Sequence, residues 1–241
     1  MIMWLNGKLT ANDAARIDPA DRGFTLGDGL FETFVARDGK IPHLAAHLER
    51  LRQGCTVLRM TYPVADIAAA ANDLLQANAL TDAVIRLTYS RGPAPRGVLP
   101  PTETHPTLLI TAAPIPAPLT PARCIVASVT RRNEYSPLCR IKSLNYLDAI
   151  LARQEAHTHA ADEAILLNTQ GRVTETTVAN LFIVKVGQVL TPPLKDGCLP
   201  GVMRAAVIAL GGVKEQSLGV EDLASADEIF LSNSLGLRAV A

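Results

Sequence analysis

Lys142 and Glu175 are the residues whose neighbours give them chemistry to perform. Lys142 stands in Arg140-Ile141-Lys142-Ser143-Leu144-Asn145-Tyr146-Leu147, at the end of an extended stretch and just ahead of a helical pattern. Backbone amides at a helix start oppose an ammonium charge and favour the neutral amine, the form that acts as nucleophile or base. A solvated surface lysine is the commoner occupant of such a position, so spacing alone leaves both readings open. Glu175 lies in Gly171-Arg172-Val173-Thr174-Glu175-Thr176-Thr177-Val178-Ala179-Asn180-Leu181-Phe182. A carboxylate in such a strand faces either solvent or the interior, and in the interior it requires a partner.

One fitting partner is the protonated ring nitrogen of pyridoxal phosphate, which a carboxylate keeps cationic so that the ring withdraws electrons. Two segments could then take the phosphate. Gly201-Val202-Met203-Arg204 opens a helix with unpaired backbone N–H groups, and Ser232-Asn233-Ser234 offers hydroxyls past a strand end. Arg50, on the flank of a long helical pattern, adds a positive group able to make paired hydrogen bonds. Helix starts, serine turns and surface arginines are common, so none of these is specific by itself.

The elements that must carry these groups follow from periodicity. Asp38-Gly39 is a hairpin-turn signal between apolar runs at 30–35 and 40–42. Leu44, His47, Leu48, Leu51, Cys55 and Leu58 recur at three- and four-residue spacing, which predicts a helix over 43–60. A second, alanine-rich helix is predicted over 65–78, and strands over 83–90 and 107–113. Pro114, Pro116, Pro118 and Pro121 then forbid both helix and central strand. They predict an extended linker over 113–121 between an α+β domain at 1–112 and an α+β domain at 122–241 that carries Lys142. In the second half the pattern predicts strands near 124–130 and over 163–167, 173–176, 181–186, 188–191 and 227–231. Helices are predicted over 144–157, with Leu144, Leu147, Ile150 and Leu151 on one face, and over 202–210.

Composition narrows the function classes. The 241 residues hold 23 basic and 23 acidic side chains and are 48% hydrophobic, which excludes disorder and a broad electrostatic surface for nucleic acid or membrane. Ten aromatic residues speak against base stacking. No apolar run approaches the ~20 residues of a membrane span, and the start does not read as a signal peptide. Cys55, Cys124, Cys139 and Cys198 form neither a C-x-x-C pair nor a secreted framework, so a cytoplasmic protein is expected. His157 and His159 diverge on a helix and make no metal site. Gly27-Asp28-Gly29 lacks the context of a dinucleotide loop. Arg131-Arg132 beside Glu134 reads as a solvated loop.

Six motifs occur in a telling order: Asp21-Arg22-Gly23-Phe24 with Gly27-Asp28-Gly29-Leu30-Phe31-Glu32-Thr33; His47-Leu48-Glu49-Arg50-Leu51; Ile141-Lys142-Ser143-Leu144-Asn145-Tyr146-Leu147; Asp162-Glu163-Ala164; Thr174-Glu175 through Asn180-Leu181-Phe182; and Gly201-Val202-Met203-Arg204. Together they resemble the class IV aminotransferases, the fold-type IV family of pyridoxal-phosphate enzymes, over residues 5–240. The resemblance implies a two-domain α+β fold of the D-amino-acid aminotransferase type. It implies pyridoxal 5′-phosphate between the domains and a homodimer whose partner loops complete the site. It further implies that Lys142 carries the cofactor as a Schiff base and shuttles the proton, and that Glu175 pairs with the pyridine nitrogen. Arg50, the backbone at Val202 and Met203, and Ser234 would hold the phosphate. Phe31 would line the substrate and Thr33 would assist proton transfer.

Two segments discriminate within the family. D-amino-acid aminotransferases carry Arg-x-His as a carboxylate trap where this chain has Arg96-Gly97-Val98; 4-amino-4-deoxychorismate lyases typically show Arg-Gly and a residue other than His. Leu231-Ser232-Asn233-Ser234-Leu235-Gly236 also resembles the lyase pattern. Both imply a lyase that eliminates pyruvate from a small dicarboxylate, aminodeoxychorismate, to give 4-aminobenzoate in folate biosynthesis. Arg96 and Arg91 would bind substrate carboxylate. A D-amino-acid or (R)-amine transaminase is the alternative. A non-catalytic scaffold is a remote one, disfavoured by the presence of both Lys142 and Glu175. Family members usually add a strand and helix past the position matching Val240.

Overall fold

Asn6 and Gly7 both take positive φ, 47° and 92°, and this tight turn folds Ile2–Leu5 (β1) back on Lys8–Ala11 (β2). The hairpin begins the first of two sheets in the computed structural model, which describes residues 1–117 and 120–241. The chain separates into two units. One comprises Met1–Pro116 with Ile141–Asn145, the other Ala117–Arg140 with Tyr146–Ala241. The division after Pro116 falls within the proline-rich stretch, of which Pro118 and Leu119 lie outside the described residues.

Lys142, expected in the C-terminal domain, belongs instead to the first unit. Backbone pairing is the reason: the Phe31 N–H donates to the Lys142 carbonyl at 2.9 Å, and the Leu144 N–H donates to the Gly29 carbonyl at 3.0 Å.

In the first unit, Asp21 caps the short helix Arg22–Leu26 (α1), and Gly27 ends it at φ 67°. Gly29–Ala36 (β3) follows. Leu44–Leu58 (α2) and Ile67–Ala77 (α3) precede Ala83–Ser90 (β4) and Thr107–Ala113 (β5). The five strands form an antiparallel sheet in the order β2-β1-β5-β4-β3. The strand expected over 40–42 does not form. Only Arg37 and Lys40 bridge, Pro42 has no N–H to donate, and β3 pairs with β4 along its full length. Phe34, Leu51, Leu74, Ile85, Leu87 and Ile110 fill the core, each stabilising the unit by roughly 1.5–3 kcal/mol. Alternation along β3 sends Leu30, Glu32 and Phe34 to the α2 side and leaves Phe31 and Thr33 on the other face.

In the second unit, Cys124–Val126 (β6) is shorter than expected because Ser128 and Val129 turn their N–H groups to the Glu155 carboxylate. The helix Leu147–Thr158 (α4) starts three residues late, since Leu144 is already bonded to Gly29. Ala152 and Ala156 pack inward, while Leu147 (74% exposed), Ile150 and Leu151 face outward. The strands Glu163–Leu167 (β7), Val173–Thr176 (β8), Asn180–Lys185 (β9) and Gln188–Thr191 (β10) run as an antiparallel series. Val202–Ala209 (α5), Val213–Glu215 (β11), Val220–Ala224 (α6), Glu228–Asn233 (β12) and Gly236–Ala239 (β13) complete the unit. The β12 strand pairs with β9 and turns into β13.

Candidate active site

In the first unit the ring of Phe31 organises the cations. The Lys142 ammonium lies 4.3 Å from its centroid and the Arg86 guanidinium 4.0 Å. Each contact of this kind contributes roughly 0.5–2 kcal/mol. Thr33 is the cross-strand neighbour of Arg86 and shares the Phe31 face of β3. The sequence singles out Phe31, Thr33 and Lys142, and the fold brings them together. No motif points to Arg86, whose strand reads as a plain alternating run. The helix expected immediately after Lys142 begins five residues later, at Leu147, which removes the helix-start field as an account of this lysine.

On the opposite side of β3, Arg50 is fixed by Glu32. Its Nε donates to Oε1 at 2.8 Å and its Nη2 to Oε2 at 2.6 Å, while His47 Nδ1 lies 2.8 Å from Oε2. All three side chains are buried. Burial opposes the Glu32 charge, but the hydrogen bonds from Arg50 and His47 outweigh it and hold the carboxyl below its ordinary range. Arg50, expected to meet phosphate, thus has its guanidinium aimed by a buried carboxylate that no local pattern announces.

The loop after β4 is anchored by a second carboxylate, the half-buried Asp28. Asp28 accepts from Arg22 Nε at 2.7 Å and from Arg91 Nε at 2.7 Å. Burial works against its charge, but the bonds from Arg91 and Arg22 prevail and keep its carboxyl below the usual range. Arg22 then donates to the carbonyls of Gly97 and Val98 at 2.8 and 2.7 Å. Arg91 corrects the expectation of a substrate-binding residue. It is buried, bound to Asp28, and its Nη2 donates to the Leu58 carbonyl at 2.7 Å. Arg96 is exposed, at the edge of the segment that Arg22 holds.

In the second unit Glu175 is interior, 8% exposed, on β8. Arg132 Nη2 stands 3.0 Å from its Oε1, and the Leu199 N–H donates to Oε2 at 3.0 Å. Glu134 is also buried and accepts from the Thr169 hydroxyl and N–H, so 131–134 is no solvated loop as a whole. Arg131, by contrast, is exposed and turns back on the carbonyls of Ala127 and Thr130.

Helix α5 opens at Gly201 without a side-chain cap. A Cβ at Gly201 would meet Asn180 Oδ1 at 1.9 Å, so a larger residue there would displace the Asn180 amide that donates to the Leu199 carbonyl. The amides of Val202 and Met203 lie in the uncapped first turn, where backbone donors and helix dipole suit a phosphate. Ser234 sits in the β12–β13 turn, two residues beyond Ser232, whose buried hydroxyl has no hydrogen-bond partner among the described residues. These groups fit a phosphorylated cofactor: an acceptor for a ring nitrogen, a helix start without a side-chain cap and hydroxyls near a strand end.

Comparison with known proteins agrees with this chemistry. A Methanocaldococcus jannaschii protein provisionally named branched-chain-amino-acid aminotransferase is 36% identical over 97% of this chain and 84% of its own length. The crystal structure of 4-amino-4-deoxychorismate lyase from Pseudomonas aeruginosa is similar at a TM-score of 0.83. It is 35% identical, over 99% of this chain and 90% of that one. The branched-chain aminotransferase of the thermophilic archaeon Thermoproteus uzoniensis, solved with norvaline, reaches a TM-score of 0.91 at 28% identity, over 100% and 86% of the two chains. Residues 29–241 match the family described as amino-transferase class IV, whose cofactor is pyridoxal 5′-phosphate, and the chain belongs to that family.

Proposed function

We propose that this chain is a pyridoxal-phosphate-dependent aminodeoxychorismate lyase, which releases pyruvate from 4-amino-4-deoxychorismate and leaves 4-aminobenzoate for folate biosynthesis. The observation that carries the reading is the segment Arg96-Gly97-Val98, held by Arg22 through the Gly97 and Val98 carbonyls. Val98, 84% exposed, stands where a carboxylate-trapping histidine would be needed for D-amino acids.

Bound pyridoxal phosphate supplies an electron-withdrawing ring joined to the substrate amine. Lys142 would hold it and, once released, its Nζ would take the proton from the amine-bearing carbon. Glu175 would accept the hydrogen bond of the ring nitrogen. Arg50, the Val202 and Met203 amides and Ser234 would bind the phosphate, with Glu32 fixing the aim of Arg50. Loss of the proton expels the neighbouring enolpyruvyl ether, which leaves as pyruvate while the carbocycle becomes aromatic. Arg96 and Arg86 are the cations suited to the two substrate carboxylates, since both are exposed whereas Arg91 is buried against Asp28. Thr33, beside Arg86, would assist the proton transfer.

A transaminase of the same family is the second reading, favoured by the aminotransferase name of the 36%-identical relative. The same lysine would then return the proton to a different atom. Supplying aminodeoxychorismate in one tube, and D-alanine with 2-oxoglutarate in another, separates the lyase from a D-amino-acid transaminase. Pyruvate and 4-aminobenzoate are expected in the first. D-Glutamate in the second, with no 4-aminobenzoate in the first, would reverse the assignment.

A further inference from the structure

Arg132 is the group whose placement the proposed reaction does not yet use. Its backbone N–H donates to the Leu167 carbonyl at 2.8 Å, and it bridges to Asn168 beyond the end of β7. Its guanidinium is held from several sides. Nε donates to the Gly197 carbonyl at 3.3 Å, Nη2 donates to the Cys139 carbonyl at 2.9 Å, and the same Nη2 lies 3.0 Å from Glu175 Oε1. Three separate stretches of the unit thus aim one positive charge at one buried carboxylate. Such pinning exceeds what neutralising a surface charge requires.

We propose that Arg132 is a positioning residue that keeps Glu175 an anionic hydrogen-bond acceptor, so that the proton shared with a cofactor ring nitrogen resides on the ring. The proposal rests on the reading above that Glu175 serves that nitrogen. A guanidinium in contact with a buried carboxylate favours its ionised form, whereas burial alone favours the neutral acid. The distinction matters chemically. An ionised acceptor makes a charge-assisted bond to a protonated ring nitrogen, roughly twice as strong as a neutral one. A neutral acid would instead donate to an unprotonated ring, which withdraws electrons less. The Leu199 N–H at 3.0 Å from Oε2 acts in the same sense, since it can only donate.

The test compares two cofactors on the full chain after its own cofactor has been removed. One is pyridoxal phosphate; the other is its 1-deaza analogue, in which the ring nitrogen is replaced by CH. Dissociation constants are measured for wild type, Arg132→Gln and Arg132→Lys. Glutamine keeps amide donors for the Gly197 and Cys139 carbonyls but has no charge; lysine keeps the charge. The wild type is expected to prefer pyridoxal phosphate, Arg132→Gln to lose roughly tenfold of that preference, and Arg132→Lys to retain most of it. Equal weakening of both cofactors in Arg132→Gln, with the preference unchanged, would overturn the proposal and leave Arg132 a brace of the fold. If Arg132→Gln does not fold, a preference in Arg132→Lys that matches wild type supports the charge, and one that vanishes rejects it. A wild type with no preference at all would instead refute the role of Glu175 itself.

Discussion

Phe31 holds Lys142 twice: its N–H donates to the lysine carbonyl at 2.9 Å, and its ring lies 4.3 Å from the lysine ammonium. The backbone bond fixes where the lysine starts, and the ring fixes where its amine ends. Reduction of the cofactor-loaded protein with borohydride should therefore leave a pyridoxyl phosphate on Lys142, read by peptide mass spectrometry, and Lys142→Ala should abolish it. Phe31→Leu keeps the backbone bond and removes the ring. It should retain the label while losing roughly tenfold in turnover, the equivalent of one cation–π contact. Labelling of another lysine would break the assignment.

The buried Glu32–Arg50 pair makes a second claim. Glu32→Gln leaves the Arg50 charge buried without its carboxylate, which costs about 3 kcal/mol or more in folding stability. The pH dependence has a definite sign. The folded Glu32 carboxyl lies below its unfolded value of roughly 4.3, so its stabilisation is complete above that value and is lost as pH falls through the folded one. Urea melts from pH 7 to pH 3 should show wild type losing stability below about pH 4. Glu32→Gln should be weaker at pH 7 and less sensitive to acid. Parallel pH profiles would contradict the pairing.

Why these carboxylates escape a reading of the sequence, while Lys142 and Glu175 do not, is a matter of where their partners lie. Lys142 and Glu175 stand inside dense motifs, and the proline-rich stretch marks a division by composition alone. Glu32 and Arg50 are eighteen positions apart, Arg91 and Asp28 sixty-three, and only folding makes them neighbours. Arg91 therefore reads as an available cation until Asp28 claims it. Residues 141–145 follow the linker in sequence, yet two backbone bonds to β3 carry them into the first unit. Helix α4 shows the complementary failure. Its apolar periodicity is real, but Leu147, Ile150 and Leu151 face outward and two alanines pack inward.

Asp28 links two buried arginines to the loop that presents Arg96. Asp28→Asn removes the negative charge shared by Arg22 and Arg91 and should loosen the Gly97 and Val98 carbonyls that Arg22 grips. Limited proteolysis after Arg96 should accelerate several-fold. KM for the carboxylate-bearing substrate should rise more than kcat falls, since positioning rather than proton transfer is affected. An unchanged cleavage rate would show that the loop is held by other means.

Thiol reactivity gives an independent check on the packing. Burial pushes the Cys55 and Cys124 thiols up to about 11 and Cys198 up to about 12, and it raises Cys139 as well. At pH 8 the thiolate fraction of a thiol near 11 is roughly one in a thousand. Iodoacetamide should modify the native protein slowly and all four cysteines promptly in urea. Rapid stoichiometric labelling of native protein would place at least one thiol in a more polar setting than described.

The outward face of α4 bears on assembly. Leu147, Ile150 and Leu151 recur at helical spacing and are 74, 48 and 45% exposed, an apolar stripe that water does not favour. We propose that a second copy of the chain covers it in a homodimer. Light scattering after size exclusion should then give twice the chain mass for wild type. Leu147→Asp with Ile150→Asp should give the chain mass, because two carboxylates would have to be desolvated at the contact. Both substitutions lie on exposed positions, so the far-ultraviolet circular dichroism should be unchanged. A double variant that stays at twice the chain mass would move the interface elsewhere on the molecule.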